Sequence, residues 1–336
     1  MKHSFVSVRI VDVIEETPEA KSFVLEFPHF ADIDPGYKPG QFMTFRIPIP
    51  GAQIMRCYSM SSSPLCDPLP KVTVKRVPGG VGSNWICDNL GTGDHIEVLP
   101  PAGVFSPSSL NDDLLLFAAG SGITPVISIL KSSLIGGAGR VLLIYANRDR
   151  PSVIFDTELE LLEKQFPSRL VVRHWLDSLL GFPTTPGLVR LAEGWSHADC
   201  FICGPEAFMD VAEAAVKELG VNAARVHSER FTFEENESAK NAGGGESVQL
   251  DVSIDGETRT LLWPTSQRLL DVLLNAGIHA PYSCRMAACG ACACQLLEGE
   301  VKLLNNDVLE NSDMSDGWIL ACQALPVSRK VVISFR

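Results

Sequence analysis

Residues 281–294 carry the sequence Pro281-Tyr-Ser-Cys284-Arg-Met-Ala-Ala-Cys289-Gly-Ala-Cys292-Ala-Cys294, and a further cysteine, Cys322, follows in Ile-Leu-Ala-Cys-Gln-Ala. The spacing Cys-x4-Cys-x2-Cys with one distant cysteine is typical of plant-type 2Fe–2S sites. Small residues between the thiolates let the chain wrap closely around a cluster. We therefore predict that the stretch binds a 2Fe–2S cluster, which accepts one electron at a time, through Cys284, Cys289, Cys292 and Cys322.

Two other uses of these cysteines are weaker. Structural zinc sites usually combine two Cys-x2–4-Cys pairs, whereas Cys322 stands alone here. Disulfides are disfavoured because the chain shows no sign of secretion. Cys294, two residues after the third ligand, suits a strand that leaves the loop, and we predict a small buried residue there.

The whole chain sets broad limits on function. Its 336 residues are enough for two or three domains, and its net charge of −12 argues against a nucleic-acid partner. No run of 18 apolar residues is present, so we expect no transmembrane helix and no membrane partner. The Met1–Phe5 segment lacks an apolar signal core, and we expect a cytoplasmic protein.

The first 108 residues are predicted to form an antiparallel β-barrel. Short segments with strand patterns recur at fairly even spacing, with Pro and Gly between them. The predicted strands are Val6–Val13, Ala20–Phe27, Gln41–Ile47, Val72–Val77 and His95–Leu99.

Two segments of this barrel suit a flavin. In Arg56-Cys-Tyr58-Ser59-Met60, the arginine can pair with a pyrophosphate, while the tyrosine and serine can pack on the isoalloxazine and hydrogen-bond to it. In Gly79-Gly-Val-Gly82-Ser83-Asn84-Trp85, a Gly-rich turn enters a predicted helix whose free N–H groups can bind phosphate. Each segment alone is a weak signal, but their order and separation strengthen both.

Residues 109–232 have a different pattern, in which apolar strands alternate with helices. Asp113–Ala119 is a continuous apolar run, typical of a strand buried on both faces, so we predict a parallel sheet with a nucleotide crevice at its carboxyl edge. Gly120-x-Gly122-x-x-Pro125 lies between a strand and a helix, although it lacks the last glycine of the dinucleotide fingerprint. Asn147-Arg148 and Cys203-Gly204-Pro205 end two later strands at the same edge.

Cys200 and Cys203 form a Cys-x-x-Cys motif, which a redox dithiol would also use. Such motifs normally open a helix after their strand, whereas these two cysteines flank Phe201-Ile202 inside a predicted strand. We therefore disfavour a redox dithiol.

Residues 233–246 are acidic and Gly-rich and predict a linker, and residues 247–336 predict a small α+β domain. A hairpin turning at Asp255-Gly256 precedes a helix over Leu269–Ala276, the cysteine stretch and a closing strand at Lys330–Phe335. A sheet that grips one helix is a β-grasp arrangement.

These motifs occur in an order that resembles the ferredoxin–NADP reductase superfamily fused to a C-terminal plant-type ferredoxin. Within it, the chain is similar to reductase components of bacterial oxygenases. Val72–Val77, Gly82–Trp85, Tyr145–Asp149 and His174–Leu176 are similar to the reductases of 3-ketosteroid 9α-hydroxylases, which are Rieske-type monooxygenases. Phenylacetyl-CoA oxygenase reductases are more distantly similar.

The resemblance implies FAD, NADH and one 2Fe–2S cluster. The residues that it places at the flavin or its phosphates are Arg56, Tyr58, Ser59, Met60, Lys75, Val77, Gly82 and Ser83. Those that it places at the nicotinamide nucleotide are Gly120, Thr124, Asn147, Arg148, Cys203 and Pro205, with Glu229 and Phe231 near the flavin edge. Ser59, Cys203 and Glu229 would have catalytic roles.

The resemblance leaves two cofactor choices open. A related group, the phthalate dioxygenase reductases, uses FMN, but the length of Gly79–Trp85 and the Ser61-Ser62-Ser63 variant favour FAD here. Arg148 could accept a 2′-phosphate, but no second basic residue stands beside it, which favours NADH over NADPH.

The resemblance therefore implies an NADH-dependent oxidoreductase that delivers electrons to a terminal oxygenase, a steroid 9α-hydroxylase being favoured. A reductase for another ring-hydroxylating, phenylacetyl-CoA-type or di-iron monooxygenase and a stand-alone flavin reductase are the alternatives. A redox-sensing module without turnover is disfavoured, because no DNA-binding segment or basic face is visible.

Overall fold

The computed structural model describes residues 5–28, 36–231, 246–254, 256–282, 284–285 and 287–335. The chain divides into two compact units, which are described separately: one contains the two N-terminal sheets except residues 53–57, and the other contains those residues and the C-terminal sheets. All of the predicted linker except Glu246, and the Asp255 turn position, lie outside the described residues. Within the described ranges, none of the helices combines the length and the apolar character needed to cross a membrane.

An antiparallel barrel-like sheet forms the first part of the N-terminal unit, as predicted. Its six strands run in the order β4-β3-β6-β1-β2-β5, and every described pairing is antiparallel. Alternate side chains such as Val8, Ile10, Phe23 and Leu25 are buried, because successive residues of a strand face opposite sides. The elements are β1 (Val6–Thr17), β2 (Ala20–Glu26), β3 (Phe42–Ile49), β4 (Ala52–Ser59), β5 (Lys71–Lys75), α1 (Val81–Asn89) and β6 (His95–Val98).

A five-stranded parallel sheet forms the rest of this unit, in the order β11-β10-β7-β8-β9. The predicted apolar run is its central strand, with Leu114 and Leu116 in one core and Leu115 and Phe117 in the other. The elements are β7 (Leu114–Ala119), α2 (Ile123–Gly136), β8 (Val141–Asn147), α3 (Asp156–Gln165), β9 (Leu170–Leu176), α4 (Asp177–Leu180), α5 (Thr185–Leu191), β10 (Asp199–Gly204), α6 (Glu206–Glu218) and β11 (Val226–Arg230). The edge strand β11 and the short α4 and α5 were not predicted, since their apolar patterns are too short to stand out.

The C-terminal unit contains a five-stranded mixed sheet in the order β13-β12-β18-β14-β16, against which one helix packs. The predicted hairpin is formed by β12 and β13, and the closing strand β18 pairs in parallel with β12. The elements are β12 (Ser247–Ile254), β13 (Glu257–Pro264), α7 (Leu269–Asn275), β14 (Ala293–Glu298), β15 (Val301–Leu303), α8 (Asn311–Ser315), β16 (Trp318–Leu320), β17 (Ala324–Pro326) and β18 (Lys330–Ser334).

Candidate functional site

The four predicted metal ligands lie on a buried loop, which we call the cluster loop (Cys284–Cys292 together with Cys322). Each of the four side chains is at most 9% exposed, although Ser283 and Met286 of the same stretch lie outside the described residues. Arg285 and Ala287 have φ values of 54° and 68°, so the backbone coils tightly around the sulfur atoms. Few non-glycine residues adopt this left-handed conformation, which marks the loop as shaped for something that it encloses.

Backbone N–H groups point at the sulfur atoms of this loop. Cys284 and Ala291 each donate from the backbone to the Cys289 sulfur, at 3.5 and 3.4 Å, and Cys322 donates to the Cys292 sulfur at 3.5 Å. The hydrogen bond between the thiols of Cys292 and Cys322 lowers the pKa of Cys322 and raises that of Cys292. Two pairs of neighbouring sulfurs with N–H donors around them fit a cluster of two irons.

No group of three or more His, Cys, Asp or Glu side chains suited to a single metal ion occurs among the residues that the structure describes. Cys294 is fully buried in β14, within the core of the C-terminal unit, as the sequence predicted.

Gln323, directly after the last cysteine of the cluster loop, is a residue that sequence reasoning missed. Its buried amide donates to the Arg285 carbonyl at 2.8 Å and to the Cys322 sulfur at 3.6 Å. It thereby ties the distant cysteine to the coiled part of the loop. Its only sequence signal is its position directly after Cys322.

The predicted flavin segment lies in strand β4 and just beyond it. Tyr58 is half-buried and packs edge-on against Phe45, with ring centroids 5.3 Å apart. Ser59 is buried at the end of the strand, and the Met60 side chain is fully enclosed in the barrel. Arg56 is exposed, and its guanidinium donates to the Met55 carbonyl at 2.8 Å.

The serine run after this segment has a structural role that the sequence did not reveal. Ser61, Ser62 and Ser63 are fully buried. Ser61 pairs with the Thr73 hydroxyl at 2.7 Å, and Ser63 pairs with the Ser132 hydroxyl at 2.8 Å. These hydroxyls therefore stabilise the protein interior.

Helix α1 begins as the Gly-rich segment predicted. Its N-cap is Gly80, which supplies no side chain to cap the first N–H groups. The Ser83 hydroxyl accepts from the Val77 backbone N–H at 3.1 Å, and the Asn84 amide donates to the Val77 carbonyl at 3.0 Å. Gly82 is buried in the first turn, so the helix presents backbone N–H groups from a rigid start, as a phosphate site requires.

The predicted nucleotide residues meet at the carboxyl edge of the parallel sheet, which we call the nucleotide edge (the ends of β7, β8, β10 and β11). The strand register sets Ala119 opposite Ala146, and Cys203 between Ala118 and Glu229. The turn from Gly120 to Gly122 follows β7 without a capping side chain. A Cβ added at Gly122 would lie 2.2 Å from the Cys203 carbonyl oxygen, so only glycine fits there.

Asn147 is the clearest sign of a ligand at this edge. Asn147 is 5% exposed, and its amide makes only a weak contact, with the Tyr145 hydroxyl. That hydroxyl donates to the Gly120 carbonyl at 3.1 Å. Since buried amides are normally satisfied, Asn147 is poised for a polar group from outside the protein.

Cys203 is fully buried, and burial together with the negative charge of Glu229 holds the pKa of its thiol well above the usual range. The thiol therefore stays neutral at physiological pH. Thr124 donates to the Ser121 carbonyl at 3.0 Å, Pro205 is the N-cap of α6, and Phe231 packs against the core that contains Cys203.

Cys200 and Cys203 face opposite sides of β10, because they are three residues apart in a strand. Cys200 packs in one core and Cys203 in the other. Two side chains on opposite faces cannot form a disulfide without unpairing the strand, which agrees with the sequence-based argument against a redox dithiol.

Arg148 follows β8 and is held by two acids. Its Nε lies 3.1 Å from Asp149, and its Nη2 lies 3.4 Å from Glu19. Glu19 belongs to the turn between β1 and β2 and also lies 3.9 Å from Lys75. Sequence reasoning missed Glu19, since a glutamate in a hairpin turn resembles any solvated charge.

Three family models match the chain in succession. Residues 7–106 match the oxidoreductase FAD-binding domain, residues 116–214 the oxidoreductase NAD-binding domain, and residues 252–327 the 2Fe-2S iron-sulfur cluster binding domain. These are the three modules that the motifs predicted, in the same order.

Curated relatives match over almost the whole chain. The chain is 47% identical to the ferredoxin reductase component of 3-ketosteroid-9-alpha-monooxygenase from Rhodococcus rhodochrous, over 98% of this chain and 97% of the relative. It is 31% identical to one of the subunits of 1,2-phenylacetyl-CoA epoxidase from Escherichia coli, over 99% and 98%. Among solved structures, phthalate dioxygenase reductase has the same fold, with a TM-score of 0.62 at 24% identity over 99% of this chain and 98% of that one.

Proposed function

Since the chain belongs to the family of oxygenase reductases that join an FAD-binding, an NAD-binding and a 2Fe-2S iron–sulfur cluster domain, we propose that it transfers electrons from NADH to the terminal oxygenase of a steroid 9α-hydroxylase. Bound FAD would take up two electrons from NADH and release them singly, and the cluster would carry one at a time. The protein's own contribution is to bind, orient and shield these groups.

The observation that carries the proposal is the cluster loop. Its four buried cysteines, the N–H groups aimed at Cys289 and Cys292, and the left-handed backbone at Arg285 and Ala287 support a 2Fe–2S centre. Because such a centre carries single electrons, it suits delivery to another one-electron protein. Cys284, Cys289, Cys292 and Cys322 are the proposed ligands.

We assign the flavin to the barrel. Tyr58 would pack on the ring system, Ser59 would hydrogen-bond to it, and the start of α1 at Gly82 and Ser83 would meet the phosphates. Arg56 would supply positive charge for the same phosphates, and Met60 and Val77 support the surrounding backbone. Lys75 would contact the flavin from the side of the Gly120 turn, against which its ammonium stands. The uncapped start of α1 supports FAD, which has a pyrophosphate to place there.

We assign NADH to the nucleotide edge. The turn at Gly120 and the start of α2 near Thr124 would meet the pyrophosphate, and the buried amide of Asn147, which has only a weak contact with Tyr145, would bind a polar group of the nucleotide. Cys203 would contact the nicotinamide as a neutral thiol, with Ser59 and Glu229 as the other proposed catalytic residues. Arg148, Pro205 and Phe231 complete the proposed nucleotide residues.

The proposed domain boundaries are 1–108 for the flavin domain, 109–232 for the NAD domain, 233–246 for the linker and 247–336 for the ferredoxin domain. The three family-model matches all fall inside these ranges, which supports the division.

The choice of a steroid hydroxylase rests on the relatives. Identity to the steroid monooxygenase reductase is 47%, against 31% for the phenylacetyl-CoA epoxidase relative. The partner is therefore proposed to be a Rieske-type oxygenase that accepts single electrons from the cluster.

The experiment has two stages. Visible spectra of the anaerobically purified protein, recorded before and after NADH is added, should show flavin and iron–sulfur bands that both bleach. The protein should then support turnover of a purified 3-ketosteroid 9α-hydroxylase oxygenase much better than turnover of a phenylacetyl-CoA epoxidase. Spectra in which only the flavin bleaches would overturn the electron route, and a preference for the epoxidase would overturn the partner.

A further inference from the structure

Two cations and one acid meet beside the Gly120 turn. The Lys75 Nζ lies 3.7 Å from the position that a Cβ on Gly120 would take, so this ammonium stands against the glycine turn. Lys75 and Arg148 come from different sheets of the N-terminal unit, at the ends of β5 and β8, yet both lie within 3.9 Å of the Glu19 carboxylate. One carboxylate oxygen faces each cation.

The acid is held in place by its backbone. The Glu19 carbonyl accepts from the Arg76 N–H at 2.7 Å, and the Glu19 N–H donates to the Thr17 hydroxyl at 3.3 Å. The backbone of the turn between β1 and β2 is therefore held by hydrogen bonds that do not involve the Glu19 carboxylate. A change of the carboxylate alone should leave this backbone unchanged.

These cations stand where an anion is expected. A glycine turn between a parallel strand and a helix presents free N–H groups to a dinucleotide pyrophosphate. Lys75 stands against that turn and shares Glu19 with Arg148, and phosphate oxygens attract both ammonium and guanidinium groups. Arg148 retains Asp149 as a second acid, whereas Glu19 is the one carboxylate within 4 Å of the Lys75 Nζ in the described part of the chain.

We propose that the Glu19 carboxylate is an internal competitor of the dinucleotide phosphates, which holds Lys75 and Arg148 in the free protein and yields them to the phosphates when the nucleotide binds. This inference rests on the proposed function, because it takes NADH as the ligand. No covalent or redox step is involved, only an exchange of one anion for another. Glu19 would therefore set the affinity for the nucleotide and leave the electron-transfer steps unaffected.

The test is Glu19→Gln, which keeps the size of the side chain and removes its charge. With both cations released, KM for NADH should fall about threefold to tenfold at low ionic strength, while kcat changes by less than about twofold. Isothermal titration with NAD⁺ should give a Kd that falls by a similar factor. The gain should shrink as salt is added, because unpaired surface cations are screened within a Debye length of about 10 Å at 0.1 M.

The matched control is Glu15→Gln. Glu15 lies on the same hairpin, pairs with Lys21 at 3.6 Å, and is 77% exposed. Glu15→Gln therefore removes one negative charge from the same hairpin without freeing Lys75 or Arg148, and its KM for NADH should equal that of the unsubstituted protein. An equal fall in KM for both variants would overturn the inference in favour of a general charge effect.

Two further variants keep the test decisive. In the double variant Glu19→Gln, Arg148→Gln, one freed cation is removed, so part of the gain in Kd should disappear. Should Glu19→Gln fold poorly, Glu19→Asp can replace it. It keeps the charge on a shorter side chain, so its Kd for NAD⁺ should be lower than that of the unsubstituted protein but not as low as that expected for Glu19→Gln. An unchanged or raised Kd for NAD⁺ in Glu19→Gln would overturn the inference, whereas failure of the unsubstituted protein to oxidise NADH would instead overturn the proposed function.

Discussion

The cluster loop and the nucleotide edge achieve binding by different physical means. In the cluster loop the candidate ligands are buried, close in sequence, and surrounded by backbone N–H groups and a backbone that turns left-handed at Arg285 and Ala287. The nucleotide edge instead gathers residues from four strand ends, where Arg148 is exposed to solvent and the Glu19 that pairs with it is partly exposed. Loss of one ligand in the cluster loop should therefore abolish cluster binding, whereas a single change at the nucleotide edge should only raise or lower the affinity for the nucleotide.

Loss of a ligand in the cluster loop should have the largest effect. In Cys284→Ser the cluster should be lost, and reduction of the oxygenase should fall by about 100-fold or more, because the proposed one-electron relay to the oxygenase is gone. Oxidation of NADH with ferricyanide, which can take electrons from the flavin, should stay within about twofold. Both rates and the iron content are to be measured in the same preparation.

Cys294→Ala is the matched control, since Cys294 lies in the same unit but packs in its core. It should keep its iron and lose only about 1–2 kcal/mol of stability, from the small cavity left behind. Equal loss of both electron-transfer rates in Cys284→Ser would contradict the separation of the two sites and revive the stand-alone flavin reductase.

The second effect concerns close packing at the nucleotide edge. In Gly122→Ala the new methyl group would lie 2.2 Å from the Cys203 carbonyl oxygen, so the turn or β10 must shift. We expect KM for NADH to rise and the N-terminal unit to lose about 1–3 kcal/mol, as overpacked sites do. Steady-state kinetics and a thermal melt would measure both.

Gly91→Ala provides the comparison, because its nearest neighbour, an Asp94 carboxylate oxygen, would lie an ordinary 3.6 Å from the new Cβ. Its KM should match that of the unsubstituted protein. If both variants bind NADH equally well, the Gly122 turn does not shape the nucleotide site.

The same contrast explains how far the sequence could go. The ligands of the cluster loop follow a spacing that one stretch of chain displays, so Cys284, Cys289 and Cys292 were predictable without knowledge of the fold. The nucleotide edge was predictable only in outline: strand ends such as Asn147 and Cys203 share an edge because parallel strands run together. Glu19 was not predictable, since its contacts with Lys75 and Arg148 depend on how two sheets pack.

The secondary-structure elements were also predictable only where one stretch of sequence displays the pattern. The long apolar runs of β7 and β8 predicted a buried parallel sheet, and this was confirmed. Short elements such as β11 and α8 were missed, because three to five residues are too few to display a period. The serine run at Ser61–Ser63 was used as an argument for FAD, but the sequence could not show that the Ser61 hydroxyl pairs with Thr73 and the Ser63 hydroxyl with Ser132.

A smaller effect would sharpen the role of backbone shape in the cluster loop. Ala287 has a φ of 68° and is buried, so a β-branched residue there pays the steric cost of a left-handed conformation. Ala287→Val should cost about 1–2 kcal/mol and release iron to a chelator several-fold faster. Ala293→Val, in strand β14 where β-branched residues are favoured, should retain iron normally. Equal rates of iron release would mean that the left-handed turn does not constrain the cluster.

The smallest effect is expected at the opposite edge of the parallel sheet, which should influence stability alone. Asp113 precedes β7 and is partly buried, which raises its pKa, but hydrogen bonds from Arg140 and His197 outweigh this and lower the pKa to about 2. A depressed carboxyl pKa stabilises the fold above the unfolded value near 4, and the benefit is lost as pH falls.

Asp113→Asn should therefore lower the stability of the N-terminal unit by no more than about 1 kcal/mol near pH 6, since its partner Arg140 is largely exposed. The difference from the unsubstituted protein should shrink as pH falls from about 4 to about 2, while KM for NADH near neutral pH stays unchanged. Thermal melts across this range would measure it, with the neighbouring Asp112→Asn as control. A rise in KM for NADH would show that a charge at the amino edge of the sheet affects nucleotide binding at the carboxyl edge. The two edges would then not act independently.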